Sequence, residues 1–401
     1  MLLSKKKNLP IPNGPYSASY LDLMTEYSSE GIFLRLHYPT SSSSSLSEQS
    51  KQWLPWIPHD KYIKGLAFVV GMWTIIIRLV MWWYGGYMHI PAMYEAKLLP
   101  KSQRKNRKLP VIIFSHGFGA ARFLCSTLLT ELASQGYVVA SLEHRDTSSC
   151  ATYYYQSPAH RDRDERTWIQ HVRLELGVTH YTLRNKQLKY RRDECIKALD
   201  LLAEINNGNA SKNILNTSVD LSDFEGQLDL DQVTIMGHSF GGATALLTLS
   251  SDYRFKQGVI LDGWMFPLKE EKLEVAQPLL FINTPTFHIT SNLTVMERFI
   301  SSPPGSHRQL FIIKTSNHET QTDTPFVVGY WLDLFKPKID PKLGSSINNS
   351  LIITFLKSYT DLPDNISKEL QVLDENRELI IEGKLPSSVP RARKRFITLF
   401  A

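Results

Sequence analysis

The stretch Val233-Thr234-Ile235-Met236-Gly237-His238-Ser239-Phe240-Gly241-Gly242-Ala243-Thr244-Ala245-Leu246-Leu247 decides the fold. Its first four residues form an apolar, β-rich run, and its last six are small and helix-compatible. Between them lies G-x-S-x-G, so a strand, a tight turn and a helix succeed one another, the context of a nucleophile elbow. Such a turn strains the serine backbone and lifts its hydroxyl above the sheet edge. The glycines clear space where strand and helix cross.

The composition fits a globular protein with a sizeable core. Of 401 residues, 42% are hydrophobic and 21% charged, and the net charge is +6. Lysine and arginine are scattered and no nucleic-acid motif occurs, so no nucleic-acid partner is expected. Three cysteines (Cys125, Cys150, Cys195) without a C-x-x-C pattern read as reduced thiols of a cytosolic protein. The first 25 residues hold no apolar segment long enough for a secretory signal, and position 2 is not glycine, which excludes N-myristoylation.

Outward from the elbow, periodicity predicts an early strand at 31–38, a serine loop at 41–45 and a basic linker at 101–108. A β-α-β unit comes next, with strand 111–114, helix 120–135 and strand 137–142. Residues 144–183, charged and rich in His, Arg and Tyr, read as an insertion or lid. A helix near 184–206 leads to the elbow. Strands at 257–262, 278–283 and 308–314 and helices at about 292–302 and 346–360 complete the pattern. Alternating strands and helices imply a mostly parallel central sheet with helices on both faces. The expected organisation is a single domain over 1–401, with its catalytic core at 110–360 and a polar, surface-wrapping tail at 361–401.

A serine nucleophile needs a base, and the base needs an acid to hold its tautomer. In an open parallel sheet these sit beyond the carboxyl ends of strands. Asp262 ends the run Val259-Ile260-Leu261, and His318 follows strand 308–314 through a three-residue loop. A strand-terminal aspartate also serves as a helix N-cap, and many histidines are simply surface residues. It is the order Ser239, Asp262, His318 that favours catalysis. His238, at the variable position of the elbow, is expected to point away from the nucleophile. The oxyanion of acyl transfer needs preset backbone donors. Phe240 N–H is one candidate, and Phe118 N–H, in the glycine loop Ser115-His116-Gly117-Phe118-Gly119, is the other. With Trp264, Phe266 and Phe287 these bulky residues suggest a lipid acyl pocket.

FSHGFGAAR (114–122), VVASLEHRDTSSCATYY (138–154), GHSFGGATA (237–245), LDGWMFPL (261–268), LLFIN (279–283), WLPWIP (53–58) and HETQTDTPFV (318–327) together resemble the platelet-activating factor acetylhydrolases of the lipoprotein-associated and intracellular type II kind. The resemblance runs from about residue 10 to 390. It implies an α/β-hydrolase fold and calcium-independent removal of the sn-2 acetyl or short, oxidised acyl group of phospholipids, without metal or organic cofactor. The triad it implies falls on Ser239, Asp262 and His318, with oxyanion donors at Phe118 and Phe240. Phe118, Gly263 and Glu319 depart from the residues usual in that family, and Glu319 leaves acyl preference open. A broader carboxylesterase or neutral-lipid hydrolase, or a silent lipid-binding protein, is the alternative.

The apolar run LAFVVGMWTIIIRLVMWWY at 66–84 has the length of a membrane span. Arg78 falls inside it, and on one helix Gly71, Thr74 and Arg78 would share a stripe. A span here would also divide one sheet across a bilayer. The expected form is therefore a helix lying in the interface, resting on a membrane surface, which the family resemblance also implies. A buried core helix is the rival. The expectation is a monomeric, cytoplasmic, peripherally membrane-associated enzyme acting on phospholipid.

Overall fold

The computed structural model describes residues 7–383, apart from 42–44, 85–86, 174–178, 210–211, 302, 304, 330–337 and 361. Part of the serine loop at 41–45 and the end of the 361–401 tail lie outside the described residues.

Runs such as Val111-Ile112-Ile113-Phe114 carry no polar alternation because both faces of the sheet they form are covered. Leu109, Val111 and Ile113 point into one core with Leu188, Leu199, Leu246 and Phe299. Ile112 and Phe114 point into another with Leu128, Leu132, Ile347 and Leu351. Leu279 and Phe281 divide from Leu280 and Ile282 in the same way.

The ten strands in chain order are β1 (Ser17–Met24), β2 (Phe33–Thr40), β3 (Met93–Tyr94), β4 (Leu109–Ser115), β5 (Val138–Leu142), β6 (Leu228–His238), β7 (Phe255–Leu261), β8 (Leu279–Asn283), β9 (Arg308–Ile313) and β10 (Ile380–Glu382). They form one sheet in the order β10-β9-β8-β7-β6-β4-β5-β2-β1-β3. The run from β5 through β4 and β6 to β9 is parallel throughout. The β1–β2 hairpin joins it antiparallel at β5, and β10 is antiparallel to β9.

The helices used below are α1 (Asp60–Val70), α2 (Thr74–Tyr84), α3 (Ser126–Ser134), α4 (Thr179–Asn206), α5 (Phe240–Ser251), α6 (Thr290–Ser301) and α7 (Pro341–Lys357). Helices α4, α5 and α6 line one core, and α3 and α7 the other. The sheet is therefore mostly parallel with helices on both faces.

Three segments depart from the pattern read along the chain. The helix expected at 120–135 begins only at Ser126, where Asp323 accepts the Ser126 and Thr127 amides at 2.7 and 2.9 Å. The first part of the 144–183 segment is no lid, for Glu143, His144, Arg145 and Asp146 are buried. Beyond them Ala151–Tyr154 and Thr167–Gln170 pair as an antiparallel ribbon.

The single helix expected across 66–84 is two helices, bent by 111°. Gly71 adopts a left-handed φ of 71° and caps α1. Its amide and that of Met72 close back on Phe68 and Ala67, a helix-ending arrangement that glycine adopts without a Cβ penalty. Arg78 of α2 pairs with Asp60 of α1, so the proposed stripe of Gly71, Thr74 and Arg78 lies on no one helix face. The core-helix rival fails for α2, since none of residues 74–83 is buried and Trp73, Trp82 and Trp83 are 77%, 66% and 74% exposed, whereas Ala67 and Val69 of α1 are buried.

A buried charge cluster fastens α1 to the sheet. Arg35 and Arg122 each hold the Asp22 carboxylate with two hydrogen bonds of 2.7 to 3.1 Å. Arg122 also pairs with Glu143 and donates to the Tyr62 hydroxyl at 2.8 Å, and that hydroxyl donates to Glu143 at 2.5 Å. Burial by itself raises the Asp22 carboxyl, but Arg122 and Arg35 outweigh it and hold the group well below the carboxylate range. A carboxylate depressed in the fold adds stability above its unfolded value near ~3.9, and that stability is lost as pH falls. Asp22→Asn is expected to lower the unfolding free energy at pH 7 by about 3–5 kcal/mol. Urea titrations should show the gap from the parent narrowing below about pH 4.

Candidate active site

Ser239 stands between β6 and α5 with φ 56° and ψ −117°, a conformation costly for a residue with a Cβ. Its amide donates to Leu261 O at 2.9 Å, and its carbonyl accepts from Gly242 and Trp264 at 3.0 and 2.8 Å. Close approach enforces the flanking glycines. A Cβ at Gly237 would lie 2.0 Å from Gly241 O, and one at Gly241 would lie 1.9 Å from Ser115 O.

Asp262 leaves the end of β7 with φ 46°. Its Oδ1 accepts the Thr284 amide and its Oδ2 the Thr284 hydroxyl, both at 2.6 Å, and His318 Nδ1 lies 3.0 Å from the same Oδ2. Thr284 is linked to Thr286 at 2.8 Å, and the Thr286 hydroxyl accepts the His318 amide at 3.1 Å. One threonine pair thus holds both the Asp262 carboxyl and the backbone of His318. The aspartate and histidine come together from the ends of β7 and β9. No hydrogen bond among the described residues joins Ser239 Oγ to His318.

The His318 ring is clamped. Phe287 stacks on it at 3.7 Å with an interplanar angle of 5°, and His238 at 4.3 Å with 28°. His238 Nε2 also lies 3.2 Å from His318 O. The role of His238 is one the sequence reasoning missed: its ring packs on the His318 imidazole. In the sequence its only signal is adjacency to Ser239. Thr284 and Thr286 also escape the sequence reasoning, although they follow β8 at the carboxyl edge where site residues gather.

The loop 115–119 lies against Ser239, for a Cβ at Gly117 would sit 3.1 Å from Ser239 Cβ. Neither the Phe118 nor the Phe240 amide donates to another described residue, so both remain available as donors. Below the loop, the fully buried Arg191 donates to His116 O at 2.5 Å and pairs with Asp146 at 2.8 Å. Gly119 N–H donates to Ser148 O at 2.8 Å. The Phe118 ring meets Trp264 at 5.9 Å and Phe240 at 6.4 Å, and Trp264 stacks on Phe266 at 5.7 Å. Phe287 belongs instead to the clamp on His318. The arrangement can present a serine hydroxyl to a base and two amides to an oxyanion, beside an aromatic wall.

Comparisons with known proteins agree with this architecture. A family model described as platelet-activating factor acetylhydrolase, isoform II, matches residues 1–378. Proteins named platelet-activating factor acetylhydrolase are 35% identical over 387 residues in Cavia porcellus and 34% over 391 in Gallus gallus. These alignments cover 95% and 94% of this chain and 85% and 90% of the relatives. A putative phospholipase A2 of Schizosaccharomyces pombe is 25% identical over 421 residues, covering 88% of this chain and 92% of that one. A ferulic acid esterase from Streptomyces cinnamoneus shares the fold, with TM-score 0.61 and 17% identity over 95% of this chain and all of that one.

Burial pushes the His318 imidazole below its ordinary value, and it pushes the Asp262 carboxyl up against the two Thr284 hydrogen bonds. The neutral imidazole is the form that can accept a proton. Activity that depends on it is lost as pH falls through its pKa, here displaced to the acid side of ~6.5. Ester hydrolysis is expected to decline as pH falls through about 7, where the Asp262 carboxyl takes a proton, and further on the acid side of ~6.5 as the imidazole does, as a pH profile of kcat/KM will show.

Proposed function

The chain belongs to the platelet-activating factor acetylhydrolase, isoform II, family, and from that premise we propose a serine hydrolase that removes the sn-2 acetyl or short acyl group of platelet-activating factor and related phospholipids. The observation that carries the mechanism is the strained Ser239 turn set beside the 3.0 Å pair of His318 and Asp262. Ser239 Oγ attacks the sn-2 carbonyl carbon while His318 Nε2 takes its proton. Asp262 accepts from Nδ1–H, which fixes the tautomer and offsets the positive charge that develops on the ring. Phe118 and Phe240 amides donate to the tetrahedral oxyanion. His318 then gives the proton to the departing glycerol oxygen, releasing lysophospholipid. Water attacks the acyl-enzyme by the reverse sequence and frees the acid. No step in this scheme calls on calcium or an organic cofactor.

We further propose that α1 and α2 dock the enzyme on a membrane surface. No single helix among the described residues is long and apolar enough to cross a membrane. Instead α2 offers Trp82 and Trp83 beside exposed Ile75 and Leu79, a surface suited to the headgroup layer. The functional unit in this reading is a monomer of one α/β-hydrolase domain, cytoplasmic and peripheral, with no nucleic-acid partner. The free, buried state of Cys125, Cys150 and Cys195 suits a reducing compartment.

Ser239→Ala is expected to lose labelling by a fluorophosphonate probe and about 10⁴-fold or more of kcat on a 2-acetyl ether phospholipid. Hydrolysis at the parent rate would defeat the mechanism. A chain-length series from acetyl to long acyl separates this activity from a broad carboxylesterase. Changing Trp82 and Trp83 together to alanine should weaken cosedimentation with phosphatidylcholine vesicles by about ten-fold or more, given ~1.5–3 kcal/mol for burying each large apolar side chain.

A further inference from the structure

Among the buried arginines, Arg122, Arg184 and Arg191 are the most fully enclosed. Arg122 holds Asp22 and Glu143, and Arg191 holds Asp146. Arg184 of α4 pairs with no carboxylate among the described residues. Its NH1 donates to the neutral Gln187 Oε1 at 2.7 Å, and its Nε is buried without a partner. The acid whose charge reaches it, Asp146, is already taken by Arg191 and by the Ser148 hydroxyl at 2.6 Å. Burial pushes the Arg184 guanidinium down to about 10, with Asp146 opposing and Arg191 adding to the shift.

An uncompensated cation in a dry setting is costly, and this one is only partly offset by the Phe118 ring, whose centroid lies 4.2 Å from Cζ. One turn earlier on the same face of α4, His180 is also buried, and its Nε2 lacks a partner. The His180 ring stacks on Phe266 at 4.8 Å and lies 6.4 Å from Trp264. Arg184 and His180 therefore flank the aromatic wall Phe118–Trp264–Phe266, beginning at the residue that offers the oxyanion amide.

We infer that Arg184, supported by His180, is an anion subsite of the substrate pocket that receives a carboxylate or phosphate group of the bound phospholipid. The inference rests on the phospholipid reading given above. A planar guanidinium with unused donors matches the two oxygens of such an anion. A terminal carboxylate reaches it when an acyl chain shortened by oxidation runs from Ser239 along the Phe118 ring. The phosphodiester of the headgroup is the other source.

The test compares kcat/KM of the parent, Arg184→Gln and Arg184→Lys on four esters. These are 2-acetyl phosphatidylcholine, 2-glutaroyl phosphatidylcholine, the methyl ester of the latter, and uncharged p-nitrophenyl butyrate. With an acyl carboxylate as ligand, Arg184→Gln lowers the ratio of glutaroyl to methyl-ester substrate at least ten-fold, and Arg184→Lys recovers part of it. With the phosphodiester as ligand, all three phospholipids fall at least ten-fold relative to p-nitrophenyl butyrate while that ratio stands. Equal losses on all four esters, or no loss on any, overturn the subsite. Melting temperatures are read first, and His180→Phe, whose ratio must fall in the same sense, decides the matter should Arg184→Gln not fold. A parent protein that splits p-nitrophenyl butyrate but none of the phospholipids overturns the phospholipid reading, and the subsite with it.

Discussion

Everything at the candidate site depends on one crowded crossing, where the end of β6, the start of α5 and the end of β4 meet with no space for side chains. Gly241 sits so close to Ser115 O that a single methyl group would drive strand and helix apart. The same contact decides two positions at once. It fixes the left-handed Ser239 turn, and it brings loop 115–119 to within van der Waals distance of the serine. Ser239 and loop 115–119 are thus set by the backbone, whereas Asp262 and His318 are delivered by separate strands and tied together by Thr284 and Thr286. Backbone strain at Ser239 and Asp262 is tolerated because parallel ladders on both sides hold the strand ends in place.

Much of this is legible in the sequence because its signals are positional. Apolar runs covered on both faces announce themselves by lacking alternation, so β4, β7, β8 and β9 can be placed to within two residues or so. Ser239, Asp262 and His318 stand just beyond the ends of such runs, and the structure brings the last two into contact. The features that sequence leaves hidden are set by long-range contact or by a single dihedral. Gly71 ends α1 through a left-handed φ, yet in a hydropathy scan it sits inside an unbroken apolar stretch. The stacking of His238 and Phe287 on His318 joins residues from three separate parts of the chain, and no periodicity encodes it. Strand β1 escapes such a scan because its hydrophobic pattern is weak, and β10 because a three-residue strand has almost none.

The apolar helices and the site are joined by packing as well as by chain. Val69 of α1 fills the space beside Gly119, the last residue of the glycine loop, and Tyr62 of the same helix enters the Arg122–Glu143 pair. Gly65 lets α1 come so near that a Cβ there would strike Cys150 O. The surface proposed to rest on lipid is thereby packed against the loop that carries Phe118.

The two flanks of the sheet come from opposite ends of the chain. Residues before 100 supply β1, β2 and β3 on one side, and β10, at 380–382, closes the other. The parallel strands between them are thus flanked on both sides by segments from the two ends. A chain trimmed to 110–360 would keep the proposed catalytic residues yet bare the ladders of β5 and β9, two rows of unpaired amides and carbonyls open to another copy. What looks dispensable at either end is the barrier between this sheet and self-association.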